Sequence, residues 1–189
     1  TLSLHDALPI YDLYSGSEVV IDIPVSNGYY CNLRLGHEVT KADVDKIRER
    51  MQQIIDAHLP LQRFEATTEE AIEMFAKLGD EAKVKLLKNS SSLYTVYYVL
   101  DDYTDYYYGS MLTNTAQLTL FGLEQYYDGV LLRIPSVKDP SQLGELIKQD
   151  KMFEVFKEHH QWQNLLGIST VGDFNEAVSK GLATDLVNV

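Results

Sequence analysis

The chain has 189 residues, 45% of them hydrophobic and 23% charged, with a formal net charge of −12. That is enough chain for one ordinary core, or one domain with a small appendage, and the composition is globular rather than disordered. The acidic balance excludes the large Lys and Arg footprint that duplex nucleic acid needs, and the single cysteine, Cys31, excludes an internal disulfide and argues against a cysteine-built zinc site.

A lone thiol fits a reducing, cytoplasmic setting. No apolar stretch approaches the ~20 residues that span a bilayer, and the first ten residues lack the basic start of a signal peptide. Those ten residues resemble one translated frame of a short-read sequencing adapter. On that reading they are an artefact, set aside together with His5, and the domain starts mid-fold at about Tyr11.

Residues 18–23 read as a strand ended by Pro24. Ser26-Asn27-Gly28 is a turn with Asn-Gly at its centre, and residues 29–35 alternate as the returning strand of a hairpin. Cys31 lies in this run and reads as a buried, inert thiol. Thr40-Lys41-Ala42-Asp43 is a capping box, and Val44, Ile47, Met51, Ile54 and Ile55 then fall on one helical face. Pro60 stops that helix, and residues 61–66 read as a short strand. Thr67-Thr68-Glu69-Glu70 repeats the cap before an apolar face of Ala71, Ile72, Phe75 and Leu78, with Gly79 at the helix end. Asp80 caps a further short helix through Leu87.

Residues 93–100 are β-branched and aromatic, hence a strand, and Asp101-Asp102 marks a turn. Residues 106–108, 117–121 and 130–134 give three more strands. After Pro135 the pattern turns helical, over residues 140–149, 150–166 and 173–180. The expected fold is α+β, a mostly antiparallel sheet with helices packed on one face, plus a C-terminal helical segment. A boundary near residue 138 separates a domain at 11–137 from a helical connector at 138–189.

Motifs that carry chemistry are sparse. Seven of the fifteen residues from 94 to 108 are tyrosine. Alternate rings can pack one sheet face, or the set can stack a base or sugar. His159 and His160 are adjacent, so their rings diverge on a helix instead of sharing a metal. His37 sits in a Gly-His-Glu turn with no second ligand nearby, and His58 lies at a helix end, where a cation is favoured. Asp101, Asp102 and Asp105 offer oxygen ligands to a cation, although turn formation and solubility account for them. Gly36, Gly109, Gly122 and Gly129 build no phosphate loop, and no Gly-Lys-Ser/Thr occurs. No catalytic or metal-binding set is complete.

The order and spacing of residues 26–31, 40–51, 59–63, 68–75 and 105–109 resemble the second N-terminal, editing-type domain of threonyl-tRNA synthetases. Residues 105–109, 127–135, 151–158 and 167–175 extend the likeness to a bacterial uridine-kinase-like nucleoside kinase family, which carries such a domain ahead of a P-loop kinase domain. This second resemblance covers nearly all of residues 11–189. It implies a parent that uses ATP and Mg²⁺ to phosphorylate a nucleoside. The missing kinase domain would be the chain's partner, and a nucleoside, nucleotide or tRNA 3′ end its ligand.

Editing domains of this type carry a Cys and a His four apart around a Gly, with a His-x-x-x-His upstream. By resemblance, Tyr107 stands at the Cys position and Met111 at the His position. A phenol with a pKa near ~10 does not replace a thiolate at neutral pH, and a thioether is a poor ligand for hard or borderline metals. The expectation is therefore a non-catalytic accessory domain, structural or binding a nucleotide or RNA end, with no metal or cofactor of its own. Its candidate groove comprises Asn27, Gly28, Tyr30, Asp105, Tyr107, Gly109 and Met111. The alternatives are an aminoacyl-tRNA deacylase that relies on Asp105 and Tyr107, and an interaction module docking through the helix at 151–166.

Overall fold

The computed structural model describes residues 3–14, 16–168 and 170–182. Its elements are α1 (Ser3–Leu13), β1 (Glu18–Val25), β2 (Gly28–Arg34), α2 (Lys41–Asp56), β3 (Leu61–Thr67), α3 (Thr68–Lys77) and α4 (Glu81–Lys88). There follow β4 (Tyr94–Leu100), β5 (Tyr103–Tyr106), a 3-10 turn (Thr115–Gln117), β6 (Gly122–Tyr126), β7 (Gly129–Arg133), α5 (Asp150–Leu165) and α6 (Val171–Ser179). The strands order as β1-β2-β7-β6 and as β3-β4-β5, so the fold is α+β as the patterning indicates. Two compact units result: Thr1–Arg63 with Tyr98–Asp150, and Phe64–Tyr97 with Lys151–Val189.

The first unit is built on an antiparallel four-stranded sheet. β1 pairs with β2 from Glu18↔Arg34 to Val25↔Gly28, with one register shift between Ile21 and Ile23. The strand runs through Pro24 instead of stopping there, because an edge strand needs ladder hydrogen bonds on one side only. The turn centre also moves. Ser26 and Asn27, both left-handed at φ 52° and 55°, form the two-residue turn, one position earlier than Asn-Gly. Gly28 instead opens β2, where an added Cβ would lie 2.4 Å from the Leu132 carbonyl oxygen.

α2 follows its capping box. Thr40 Oγ1 accepts from Asp43 N–H and the Asp43 carboxylate accepts from Thr40 N–H, so two orphan donors of the first turn are satisfied. Val44, Ile47 and Met51 then meet Cys31, Leu33, Leu123, Val130 and Leu132 in one core cluster, and Ile10 of α1 joins it. The segment set aside as adapter-like thus contributes to this core, with Leu8, Pro9 and Ile10 buried. The side chain of His5 lies outside the described residues.

Three predicted elements differ from the structure. β5 begins directly after the Asp101-Asp102 turn and ends at Tyr106, so Tyr107 and Tyr108 leave the sheet instead of forming a strand at 106–108. Residues 117–121 are not a strand: Asn114 caps the 3-10 turn, and the strand follows as β6. Thr115 explains the shift. It is fully buried, its hydroxyl donates to Ile54 O at 2.9 Å, and it accepts from Leu59 N–H at 2.9 Å. The helix expected at 140–149 is an extended strap. Pro135 bridges Leu143, Ile147 N–H donates to Ser26 Oγ, and Ser26 N–H donates to Gln149 Oε1 at 3.4 Å. A helix would withdraw those backbone groups into itself.

In the second unit, Thr67 and Glu70 form the expected capping box on α3, which buries Ala71 and Phe75. Leu78, expected on that face, is the C-cap and is exposed, and Gly79 ends the helix at φ 78°. Asp80 caps α4. α6 opens on a further capping box, Thr170 with Asp173. Its Gly172 lies so close to α4 that a Cβ would sit 2.9 Å from Ala82 O, and Lys85 pairs with Asp173 at 2.9 Å.

Candidate functional site

The predicted groove residues fall in the first unit. Asn27 and Gly28 lie at the β1–β2 turn and help line an open cleft of ≈ 700 Å³. Its other walls are residues 134–138 and the strap at 144–149. Asn27 Nδ2 donates to Glu145 O at 3.3 Å, and Gly144 packs so tightly on Asn27 that a Cβ would lie 2.8 Å from the Asn27 Cβ. This cleft is not lined by Tyr30, Asp105, Tyr107, Gly109 or Met111. Tyr30 is buried in β2, with its hydroxyl donating to Asp128 Oδ1 at 2.7 Å and its ring tilted against Tyr126.

The segment from Asp105 to Met111 forms a second locus. β5 places Asp105, which is buried, and the chain then leaves the strand through half-buried Tyr107, exposed Gly109 and half-buried Met111. Gly109 adopts φ 129°, a conformation a side chain would strain, and a Cβ there would lie 3.5 Å from the Tyr107 ring. A buried tyrosine of β4, Tyr98, fixes this loop by donating to Gly109 O at 2.8 Å. At the start of β5, Tyr11 of α1 stacks on Tyr103 with ring centroids 5.0 Å apart. The loop thus offers a phenol and a thioether on a hydrogen-bonded turn, following the buried carboxylate of Asp105 in β5. That set can stack a ring and hydrogen-bond a polar ligand.

Among the described residues, no group of three or more His, Cys, Asp or Glu side chains could hold a metal ion. The phenol of Tyr107 and the thioether of Met111 are themselves poor ligands for a hard or borderline metal at neutral pH. Cys31, the one thiol, is in the core under α2.

One polar cluster was only partly legible. Asp43, read as a capping residue, also accepts from the Tyr14 hydroxyl at 2.7 Å and bonds His37 Nε2 at 3.1 Å. His37, expected to stand in a turn without a second group nearby, thus meets a carboxylate. Hydrogen bonds from Thr40, then from Tyr14, hold the Asp43 carboxyl well below the usual carboxylate range against the cost of its burial. Burial, then the bond to Asp43, pushes the Tyr14 phenol up to about 12. The capping box was the signal for Asp43; nothing in the spacing pointed to Tyr14, 29 residues away.

Fold and site together define an α+β domain whose loop after β5 carries polar and aromatic groups. No family model matches the chain. Its relatives include threonine–tRNA ligases. That of Syntrophotalea carbinolica is 29% identical over 163 residues, covering 80% of this chain and 26% of the ligase. The ligase of Finegoldia magna is 29% identical over 167 residues, covering 82% and 26%. The ligase of Rhodospirillum rubrum is 32% identical over 120 residues, covering 60% and 19%. The chain therefore spans about a quarter or less of the length of these relatives. It is threonyl-tRNA synthetase-like over most of its own length, whereas none of these relatives supports the nucleoside-kinase parent. No helix among the described residues is long and apolar enough to cross a membrane.

Proposed function

We propose that this chain is a tRNA-directed domain of the threonyl-tRNA synthetase editing type, one that receives the aminoacylated 3′ end of a tRNA and hydrolyses its ester. The observation that carries this reading is the similarity to threonine–tRNA ligases over four-fifths of the chain. The reacting groups we assign are Asp105, near the end of β5, and Tyr107, on the loop that Tyr98 fixes. A carboxylate can orient the attacking water, and a phenol can donate to the carbonyl oxygen as negative charge develops there. Release of the amino acid from a mischarged tRNA tests the assignment. Asp105→Ala and Tyr107→Phe are each expected to slow it by about 10²-fold, the usual scale for a positioned acid or base. No release above background by the unaltered chain would overturn it.

The replacement of thiolate and imidazole by Tyr107 and Met111 favours a second reading, in which the domain holds the tRNA end without chemistry. It predicts binding of the tRNA 3′ end together with a flat hydrolysis assay. A nucleoside-kinase parent, using ATP and Mg²⁺, rests on the family resemblance alone. A Gly-x-x-x-x-Gly-Lys-Ser/Thr loop between a strand and a helix in the flanking reading frame would support that parent, and synthetase motifs there would remove it.

A further inference from the structure

Arg133 ends β7 with a guanidinium that the fold engages only in part. Its side chain is 16% exposed, Nη1 donates to the Glu124 carboxylate, and Nη2 donates to the Gly144 carbonyl. Its Nε–H is buried and finds no acceptor among the described residues. A buried donor without an acceptor is costly and rare, so it calls for a physical reason. The Nε–H and Nη2 of a guanidinium point the same way and form a fork that matches the two oxygens of a carboxylate. Here one backbone carbonyl serves that fork, on the Nη2 side. The surroundings are cut close: a Cβ at Gly122 would lie 3.4 Å from Arg133 Cβ and 2.8 Å from Leu143 Cδ1. Arg133 also faces Gly28 in the β2–β7 register and precedes Ile134, and Gly28, Ile134 and Gly144 all line the cleft of ≈ 700 Å³.

We propose that the Nε and Nη2 fork of Arg133 binds the carboxylate of a small free acid whose apolar body lies in this cleft, and that the Gly144 carbonyl holds the fork until the acid arrives. The cleft has the volume of a small-molecule site, which runs about 300–1,000 Å³. Val25, Ile134, Pro135 and Ile147 give it apolar walls. Lys138 lines it as well, and its ammonium group makes no ion pair among the described residues. Glu124 already answers the charge of Arg133, so Lys138 is the group that balances an incoming carboxylate. A net charge of −12 disfavours phosphates and diacids and leaves a single carboxylate as the anion this chain can hold. The acid has to lift Gly144 off the fork. The hydrogen bond from Asn27 Nδ2 to Glu145 O, at 3.3 Å, therefore works against binding by holding the strap down. The proposal does not rest on the tRNA reading, since neither Asp105 nor Tyr107 takes part in it.

Titration of the nitrogen-labelled 189-residue chain with isovalerate tests it, read by NMR at the Arg133 Nε–H resonance. Isovaleramide, the same shape without the charge, is the control. The expected result is a saturable downfield shift of that resonance with isovalerate and none with isovaleramide. Lys138→Gln should weaken binding about threefold to fivefold, the scale of an exposed ion pair. Asn27→Gly keeps the left-handed turn and removes the tie to Glu145 O, so it should tighten binding by about threefold. An acetylated tripeptide with a free C-terminal carboxylate separates a peptide end from a free acid. Its binding where isovalerate fails would give the fork to a peptide end and overturn the free-acid proposal. No saturable shift with isovalerate, an equal shift with isovaleramide, or weaker binding by Asn27→Gly would also overturn it.

Discussion

At the scale of single residues, Asp43 does the most that the sequence only half disclosed. One carboxylate, its side chain 9% exposed, accepts from Thr40 Oγ1 at 2.6 Å, Tyr14 Oη at 2.7 Å and Thr40 N at 2.9 Å, and meets His37 at 3.1 Å. It thereby ties the segment after α1, the loop after β2 and the start of α2 to one another. Its pKa is lowered on folding, so its contribution is fully present above the unfolded value near ~4 and is lost as pH falls toward the folded one. Asp43→Asn is expected to cost about 2 kcal/mol at neutral pH, the scale of a hydrogen bond to a charged group. It should also flatten the fall in stability below pH ~4. Urea unfolding at several pH values measures both, and an unchanged acid slope would contradict the assignment.

At the scale of elements, Thr115 is the counterpart. Its hydroxyl joins the last turn of α2 to Leu59, and its own N–H donates to Leu59 O at 3.0 Å. Thr115→Val keeps the shape and strands a buried donor and acceptor, an expected loss of about 1–3 kcal/mol by thermal or chemical unfolding. A loss of no more than about 0.3 kcal/mol, far below the cost of a stranded buried polar group, would show that Thr115 is not what fixes this loop. Where the elements follow local chemistry, the sequence was easily read. The capping boxes at Thr40 and Thr67, the apolar face of α2 and the Asp101-Asp102 turn are set by residues within four positions of each other. The errors fell where partners lie far apart. Residues 106–108 carry strand-favouring rings, yet Tyr98 holds Gly109 in a left-handed turn. Residues 140–149 have no strong helix breaker except Pro140 and Gly144, but Ser26 and Asn27, more than a hundred residues away, claim their backbone. The same limit applies to the site. Asn27 and Gly28 were readable as a turn, but the walls of their cleft come from residues 134–149.

At the scale of the whole molecule, a net charge of −12 shapes how a tRNA could be held. A chain so acidic can neutralise few phosphates, so recognition has to come from rings and hydrogen bonds at an unpaired end. The dependence of affinity on salt should accordingly be shallow, with a slope of log K against log[salt] of about −1 to −2, corresponding to one or two phosphates. A slope of about −5 or steeper would point to a basic track that this surface does not supply.

The most direct test is to compare the binding of one tRNA by this chain before and after trimming its unpaired 3′-terminal nucleotides. The account predicts that trimming weakens binding by at least ~10-fold, since each stacked base contributes about 1–3 kcal/mol, and that Tyr107→Ala removes the difference. Equal affinity for whole and trimmed tRNA, or no binding of either, would contradict a tRNA-end domain of any kind.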